Sequence, residues 1–508
     1  MNPLKVWLRS LLAVLFLGVT LPLMAAVTNG TLKAVNAEGR SIDVETAKGE
    51  TVTFELPEGV RFFNLTKAAK IEALEEGQSL TVTTNKDGKV TDVRIKKAAS
   101  GSKPSASKPS GSRPAFGGGG TGWFQYGGPN RDNRSLETGL LKSWPADGPR
   151  QLAVGRDLGI GYSTVTLADG KILTMGSRGN DEFVICLNEE TLRQEWDVKI
   201  GRTRPDGQGG GPRGTPTIDG DRVYALGANG DLVCLRLANG EQVWGGNILS
   251  EFGANNIVWG ISESPLIDGD KVIVTPGGQG AAMVALNKTS GKLIWKAAVP
   301  GNPQTGYSSA IIVETGGVRQ YVNFVHTGTI GVRADSGKFL WGNSSSANGT
   351  ANCSSPLEWK GNVFSASGYG TGGALVRLTG SRNGVSEALA YHTKDMKSHH
   401  GGMVIDGDSL YGTDESVLKC LDIATGKVLW QNRSVGKGAV VYADGQIILR
   451  SEEGQVAMFE ATSKEYRETG RFRPTNRGDR PAWPHPVVAN GKLYLRDQET
   501  LAVYSLKP

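Results

Sequence analysis

Five histidines and four cysteines are the side chains in this sequence best suited to hold a metal or act as nucleophiles. The histidines are His326, His392, His399, His400 and His485. His399 and His400 are neighbours, and on a strand neighbours point to opposite faces, so the pair is not expected to share one ion. No His-x-His, Cys-x-x-Cys or His-Glu-x-x-His spacing occurs, and no metal site is expected. Gly209-Gly210-Gly211-Pro212-Arg213-Gly214 fits G-x-G-x-x-G but precedes a strand and opens no helix, so a dinucleotide site is not expected either. Asp-Gly-Asp at 219–221, 268–270 and 406–408 resembles a calcium loop only superficially. It lacks the following glycine and distal glutamate, and reads as a hairpin turn.

The elements that must position these residues come from a repeat. One phrase is a hydrophobic strand, an Asx-Gly turn and a second strand, as in Thr217 to Tyr224. It recurs at Asp169-Gly170, Asp268-Gly269, Asp406-Gly407, Asp444-Gly445 and Asn490-Gly491, with weaker copies at Gly316-Gly317 and Lys360-Gly361. A second phrase follows: a strand, a glycine turn and a strand ending in tryptophan, clearest from Cys420 to Trp430. It ends at Trp196, Trp244, Trp295 and Trp341, with Tyr391 in the same slot. Two hairpins per unit make a four-stranded propeller blade. Eight units begin near residues 163, 215, 264, 309, 355, 402, 439 and 486. The last stops after three strands. Arg150 to Leu158, with Ala153 in the tryptophan slot, supplies the fourth, so the two ends share a blade and leave no free sheet edge. The repeated tryptophans are expected to pack between blades rather than hold a cofactor.

Propellers bind ligands where their inner strands converge on the axis. The candidate site is therefore Tyr162, Arg213, Trp259, Glu263, Tyr307, Asn352, His400 and Trp483, all leading into inner strands. Rings, one Arg, one Glu and nearby hydroxyls suit a peptide, a sugar or a carboxylate. The loop from Arg202 to Gly211 is longer than its counterparts and glycine-rich, as binding loops often are.

Composition supports an all-β reading. Glycine contributes 71 of 508 residues, about twice its ordinary share of ~7 %. Glycine disfavours long helices, whereas eleven Trp and twelve Tyr can bury a core and exclude wholesale disorder. Residues 1–26 read as a secretory signal: Lys5 and Arg9, then an apolar run from Leu11 to Leu23 that is too short to span, then Met24-Ala25-Ala26. Its cleavage leaves no transmembrane segment. Residues 27–97 are expected to form a five-stranded small β-barrel, with a helical turn or two within Ala68 to Glu76. Residues 98–122, rich in Ser, Pro, Lys and then Gly, read as a flexible linker. Of the net charge of +6, the signal carries Lys5 and Arg9, and the linker carries Lys103, Lys108 and Arg113. Only +1 is left for the folded parts, so no nucleic-acid partner is expected.

The phrase Asp-x-x-Thr-Gly-Lys-x-x-Trp at 422–430 resembles the quinoprotein-type propeller repeat. That repeat occurs in PQQ-dependent alcohol dehydrogenases and in the outer-membrane assembly family of BamB. The stretch Trp123 to Arg131, with Gly139-Leu140-Leu141 and Trp144-Pro145, is similar to the lead-in of exported PQQ-binding-like β-propeller proteins. The resemblance covers residues 123–508. It implies an all-β, eight-bladed quinoprotein-like propeller behind a small N-terminal β-barrel. It also implies a binding or assembly scaffold in the periplasm or cell envelope, with an envelope protein, peptide or glycan as partner. The lipid anchor of BamB is not expected, because no Cys lies near the cleavage site. The rival implied function is a PQQ-dependent dehydrogenase. It would need calcium held by Glu, Asn and Asp, a catalytic Asp and usually a vicinal Cys-Cys bridge, and these are not matched here. No cofactor is expected.

Cys186, Cys234 and Cys420 stand ten residues before Trp196, Trp244 and Trp430, one slot in three blades. Equivalent positions in adjacent blades lie beyond the ~7 Å Cα limit for a disulfide. Cys353 sits on an inner strand, away from that slot. Four buried free thiols are therefore expected, despite the export signal. Intact mass measured under non-reducing conditions should be unchanged by reduction. A gain corresponding to two bridges would refute this.

Overall fold

The computed structural model describes residues 27–96, apart from 37–39, 47–49, 58–59, 65–66, 70–73, 75–78 and 88, and residues 122–508, apart from 382–383. The proposed signal, most of the proposed linker and most of the proposed helical stretch lie outside them. The chain divides into two compact units, Met1–Ser110 and Gly111–Pro508. Among the described residues no helix is long and apolar enough to cross a membrane.

The described residues of the first unit form one sheet of seven strands rather than five. The two additional strands, Arg61–Asn64 and Lys67–Ala69, extend it, the former pairing in parallel with Val90–Lys96. Residues 67–69, partly within the proposed helical turn, are thus extended. Alternation places Leu32, Ile42, Val44, Leu80, Val82 and Val93 in a core shielded from water, while their neighbours face out.

The second unit is a β-propeller. Its described residues form eight four-stranded antiparallel sheets, and the one over Val404–Asp406, Ser409–Asp414, Val417–Asp422 and Val428–Asn432 is representative. The last sheet joins Val487–Ala489, Lys492–Asp497 and Thr500–Ser505 to Gln151–Gly155, with Ala153 opposite Val503. The first hairpins are two-residue loops of two kinds. At Asp169-Gly170 both residues take positive φ (50° and 72°), as a type I′ turn requires. At Asp219-Gly220-Asp221 the loop starts one residue later, and only Gly220 is left-handed (φ 58°). The Asp-Gly-Asp triplets are thus turns.

The tryptophans clasp neighbouring sheets. The rings of Trp196, Trp244 and Trp295 lie against Gly240, Gly291 and Gly337 of the following sheet, where an added Cβ would come within 2.8 Å of the ring. Each ring N–H donates to a carbonyl of that sheet: Trp196 to Leu237 (3.1 Å), Trp244 to Lys288 (2.9 Å) and Trp295 to Ala334 (3.2 Å). Tyr391 repeats the arrangement over Gly426, its hydroxyl donating to Ile423 O at 2.7 Å. Trp430 donates to Thr462 O at 2.7 Å. Trp341 turns its N–H to Gln320 of its own sheet (2.6 Å).

Two slots lack a ring, and each is compensated. In the seventh sheet Gly470 lies opposite Met458, and Trp144 from the lead-in fills the space, its backbone N–H donating to Thr469 O at 3.0 Å. In the eighth, Ala153 holds the slot, and the adjoining turn of the first sheet carries Leu192 where its counterparts carry glycine. Leu192 is buried at φ 54°.

Around the axis, a backbone N–H at each of the first four inner strand starts donates to a hydroxyl of the next: Thr164 to Thr215 (3.2 Å), Thr215 to Ser264 (2.9 Å), Ser264 to Ser309 (2.9 Å) and Ser309 to Ser355 (3.0 Å). The opposite end of the axis is crossed by residues 123–144. Trp123 O and Phe124 O accept from Leu167 and Ile218 (2.8 and 2.7 Å), while Asn133 and Ser135 pair with Tyr442 (2.9 and 2.8 Å). The buried Arg131 donates to Ser264 O (2.7 Å) and Pro265 O (3.1 Å), and Asn133 Nδ2 donates to Met403 O (2.8 Å).

The Ala153–Leu192 exchange predicts a coupling. Ala153→Trp alone should destabilise by about 1–3 kcal/mol through overpacking. Ala153→Trp with Leu192→Gly should recover much of that loss. Denaturant unfolding of the single and double variants checks this, and additive losses would refute it.

Candidate functional site

The strand starts that carry the hydroxyl relay also open into one axial cavity of about 440 Å³. Six of the eight candidate residues line it: Tyr162, Arg213, Trp259, Tyr307, His400 and Trp483. Glu263 and Asn352 do not. Glu263 is turned into the wall, accepting from Thr275 N (2.6 Å), Thr275 Oγ1 (2.9 Å) and Asn323 Nδ2 (3.2 Å). Burial pushes its carboxyl up to about 7, against the hydrogen bonds of Thr275 and the charge of Arg131. Asn352 donates instead to Val325 O and His326 O (3.0 and 2.9 Å). Their sequence neighbours Ser262, Ala351 and Cys353, in the loops that lead into the inner strands, face the cavity instead.

Further lining residues escaped the sequence reading. Tyr126 comes from the lead-in, and its hydroxyl lies 3.3 Å from His485 Nδ1. Tyr369 and Glu452 follow second strands. These run antiparallel to the first and so end at the rim where first strands begin, a signal the hairpin pattern carried. His399 lines the same cavity as His400, because 399–400 form a bend and not part of a strand, which would have turned them to opposite faces. Their ring centroids are 6.5 Å apart. Among the described residues no group of three His, Cys, Asp or Glu could hold a metal.

Aromatic rings make up much of the wall. Tyr162 and Trp483 meet at 4.6 Å between centroids, Trp259 and Tyr307 at 5.5 Å, and Tyr369 and His399 at 4.8 Å. The Arg202–Gly211 loop folds onto the mouth. Its Gln208 O accepts from the Tyr162 hydroxyl (2.6 Å), and Gly209 lies so close that a Cβ there would sit 2.6 Å from that oxygen.

The ionic groups are matched to one another. Arg213 pairs with Asp206 at 2.9 Å, with side chains only 11 % and 7 % exposed. Glu452 accepts from His400 Nε2 (2.7 Å), Trp483 Nε1 (2.7 Å) and Lys437 Nζ (2.8 Å). Burial alone would raise the Glu452 carboxyl, but His400, Lys437 and the Trp483 N–H outweigh it and hold it down to about 2. Burial lowers His400 as well, while Glu452 pulls it the other way. Burial takes His485 down to about 4, and its Nε2–H donates to His400 O at 2.9 Å, leaving Nδ1 to accept from Tyr126.

All four cysteines are free. Cys186, Cys234 and Cys420 are buried in blade cores. Cys353 is only half-buried, sits in the loop before its inner strand and lines the cavity, which corrects its expected placement. Burial pushes its thiol up to about 12, which makes it a poor nucleophile. The donor set does not fit PQQ with calcium. The one lining carboxylate and both lining cations already satisfy partners, so neither a divalent ion nor a tricarboxylate finds free counter-charge.

The family described as outer membrane protein assembly factor BamB matches residues 180–432 and 414–507. Among solved structures, BamB from Moraxella catarrhalis is 17 % identical, covering 70 % of this chain and 98 % of its own, with a TM-score of 0.49. The quinohemoprotein alcohol dehydrogenase from Comamonas testosteroni is 11 % identical, covering 76 % of this chain and 80 % of its own. Its TM-score of 0.51 marks a likeness of fold. No curated protein sequence matches. With its tryptophan-clasped four-stranded sheets and a family match over most of the propeller unit, the chain belongs to the PQQ-like propeller family of the outer membrane protein assembly factor BamB.

Proposed function

We propose that this protein is an exported binding or assembly scaffold of the periplasm or cell envelope, whose aromatic axial cavity is the recognition site. Residues 27–97 would form an accessory domain joined by the 98–122 segment to the propeller of residues 123–508. One observation carries the reading. Every ionic group facing the cavity is held by another protein group, while ring faces and hydroxyls remain for a ligand. A catalyst needs a base or nucleophile poised to exchange protons or electrons. Here the carboxylate is ionised and triply bonded, and the thiol is raised far above neutrality. The family membership supports a partner in the envelope.

Two measurements test this. Dye-linked alcohol oxidation by the full chain, supplied with PQQ and calcium, should stay at blank level, and turnover above blank would overturn the reading. The full chain immobilised against envelope extract should retain a discrete protein or glycan component, and Trp259→Ala should release it. Identical retention by the variant would place recognition elsewhere.

A further inference from the structure

We infer that the cavity takes a neutral, pyranose-based glycan, which rests on the proposal that this cavity is the recognition site. A pyranose has two apolar C–H faces and a belt of hydroxyls at its edge. Its complement is a flat ring beside a face and polar groups around the rim, with no unpaired charge. The Trp259–Tyr307 and Tyr162–Trp483 pairs supply such platforms. Tyr307 Oη accepts from Trp259 N (3.5 Å) and Ser309 Oγ accepts from Ser264 N (2.9 Å), so each hydroxyl keeps its proton to donate.

The alternatives are less well matched. A uronate or sialate would bring a carboxylate to a site whose Arg213 and Lys437 already pair with Asp206 and Glu452. An extended peptide gains its affinity by adding to a sheet edge. Here backbone N–H groups of the strand starts at the cavity are already spent on neighbouring starts, those of Tyr162 and Ser163 on Pro212 O (2.8 and 3.1 Å) and that of Tyr307 on Asn352 O (2.9 Å).

Titration calorimetry of the full chain with cellotriose, chitotriose, maltotriose, trigalacturonate and a Trp-containing tripeptide tests the inference. At least one neutral trisaccharide should bind about tenfold or more tighter than trigalacturonate, and Trp259→Ala should weaken it about tenfold. Trp259→Phe should retain most of the affinity, and unchanged thermal midpoints would show both variants folded. Binding of trigalacturonate as tight as that of the neutral sugars overturns the inference, as does the absence of any glycan binding. Trp259-dependent binding of the tripeptide alone overturns it while sparing the cavity as recognition site. Stoichiometric binding of PQQ in place of both would overturn the two readings together.

Discussion

A ring laid on a glycine is the contact on which this propeller depends. Four-stranded sheets arranged about an axis diverge outwards, and the wedge between neighbours must be filled or the core loses packing. A tryptophan on the fourth strand fills it, and at Trp196, Trp244 and Trp295 the next sheet makes room with a turn that has no Cβ. The glycine therefore does two things. It permits the left-handed turn, and it opens a flat seat for the ring. The indole N–H then satisfies a carbonyl that the close approach would otherwise strand, so shape and hydrogen bonding are met together.

The two departures show that the constraint is volume rather than residue type. Where Gly470 stands in the tryptophan slot, Trp144 arrives from 326 positions earlier in the chain to take up the space. Where Ala153 stands in the slot, Leu192 grows from the opposite side. Both repairs lie near the last sheet, where the two ends of the propeller meet. The segment carrying Trp144 also crosses the axis, tying sheets far apart in sequence and providing Tyr126 to the cavity. Bracing of the sheets across the axis and construction of the site are thus shared by the same twenty or so residues.

This explains what could be read in advance. The clasp tryptophans, the two hairpin phrases and the shared last sheet repeat, and repetition makes them visible in one sequence. Residues 123–144 occur once and bond mostly through backbone and arginine, so nothing in their pattern marked them as an axial plug. At the site, the strand starts were legible to within a residue. Ser262 and Cys353 face the cavity where Glu263 and Asn352 were expected, because these two turn away to hydrogen-bond Thr275 and Asn323, and Val325 and His326. Tyr369 and Glu452 needed the antiparallel hairpin to be followed to its far end. In the first unit, two short strands at 61–69 lacked the alternating pattern that marked the other five.

The same geometry bears on why a fold shared with a quinohemoprotein dehydrogenase need not carry its chemistry. The fold fixes where strand starts converge, and the side chains there decide what the convergence does. In this chain the converging charges neutralise one another at short range. Glu452 is the clearest case: three donors, from His400, Lys437 and Trp483, hold it as an anion. To act as a base it would have to release those donors and take a proton at a pKa near 2, far from neutral pH. Its position suits it instead to fix Trp483 and His400, two of the rings that shape the wall. A carboxylate held in this way orients the two rings and gives the cavity rigid walls.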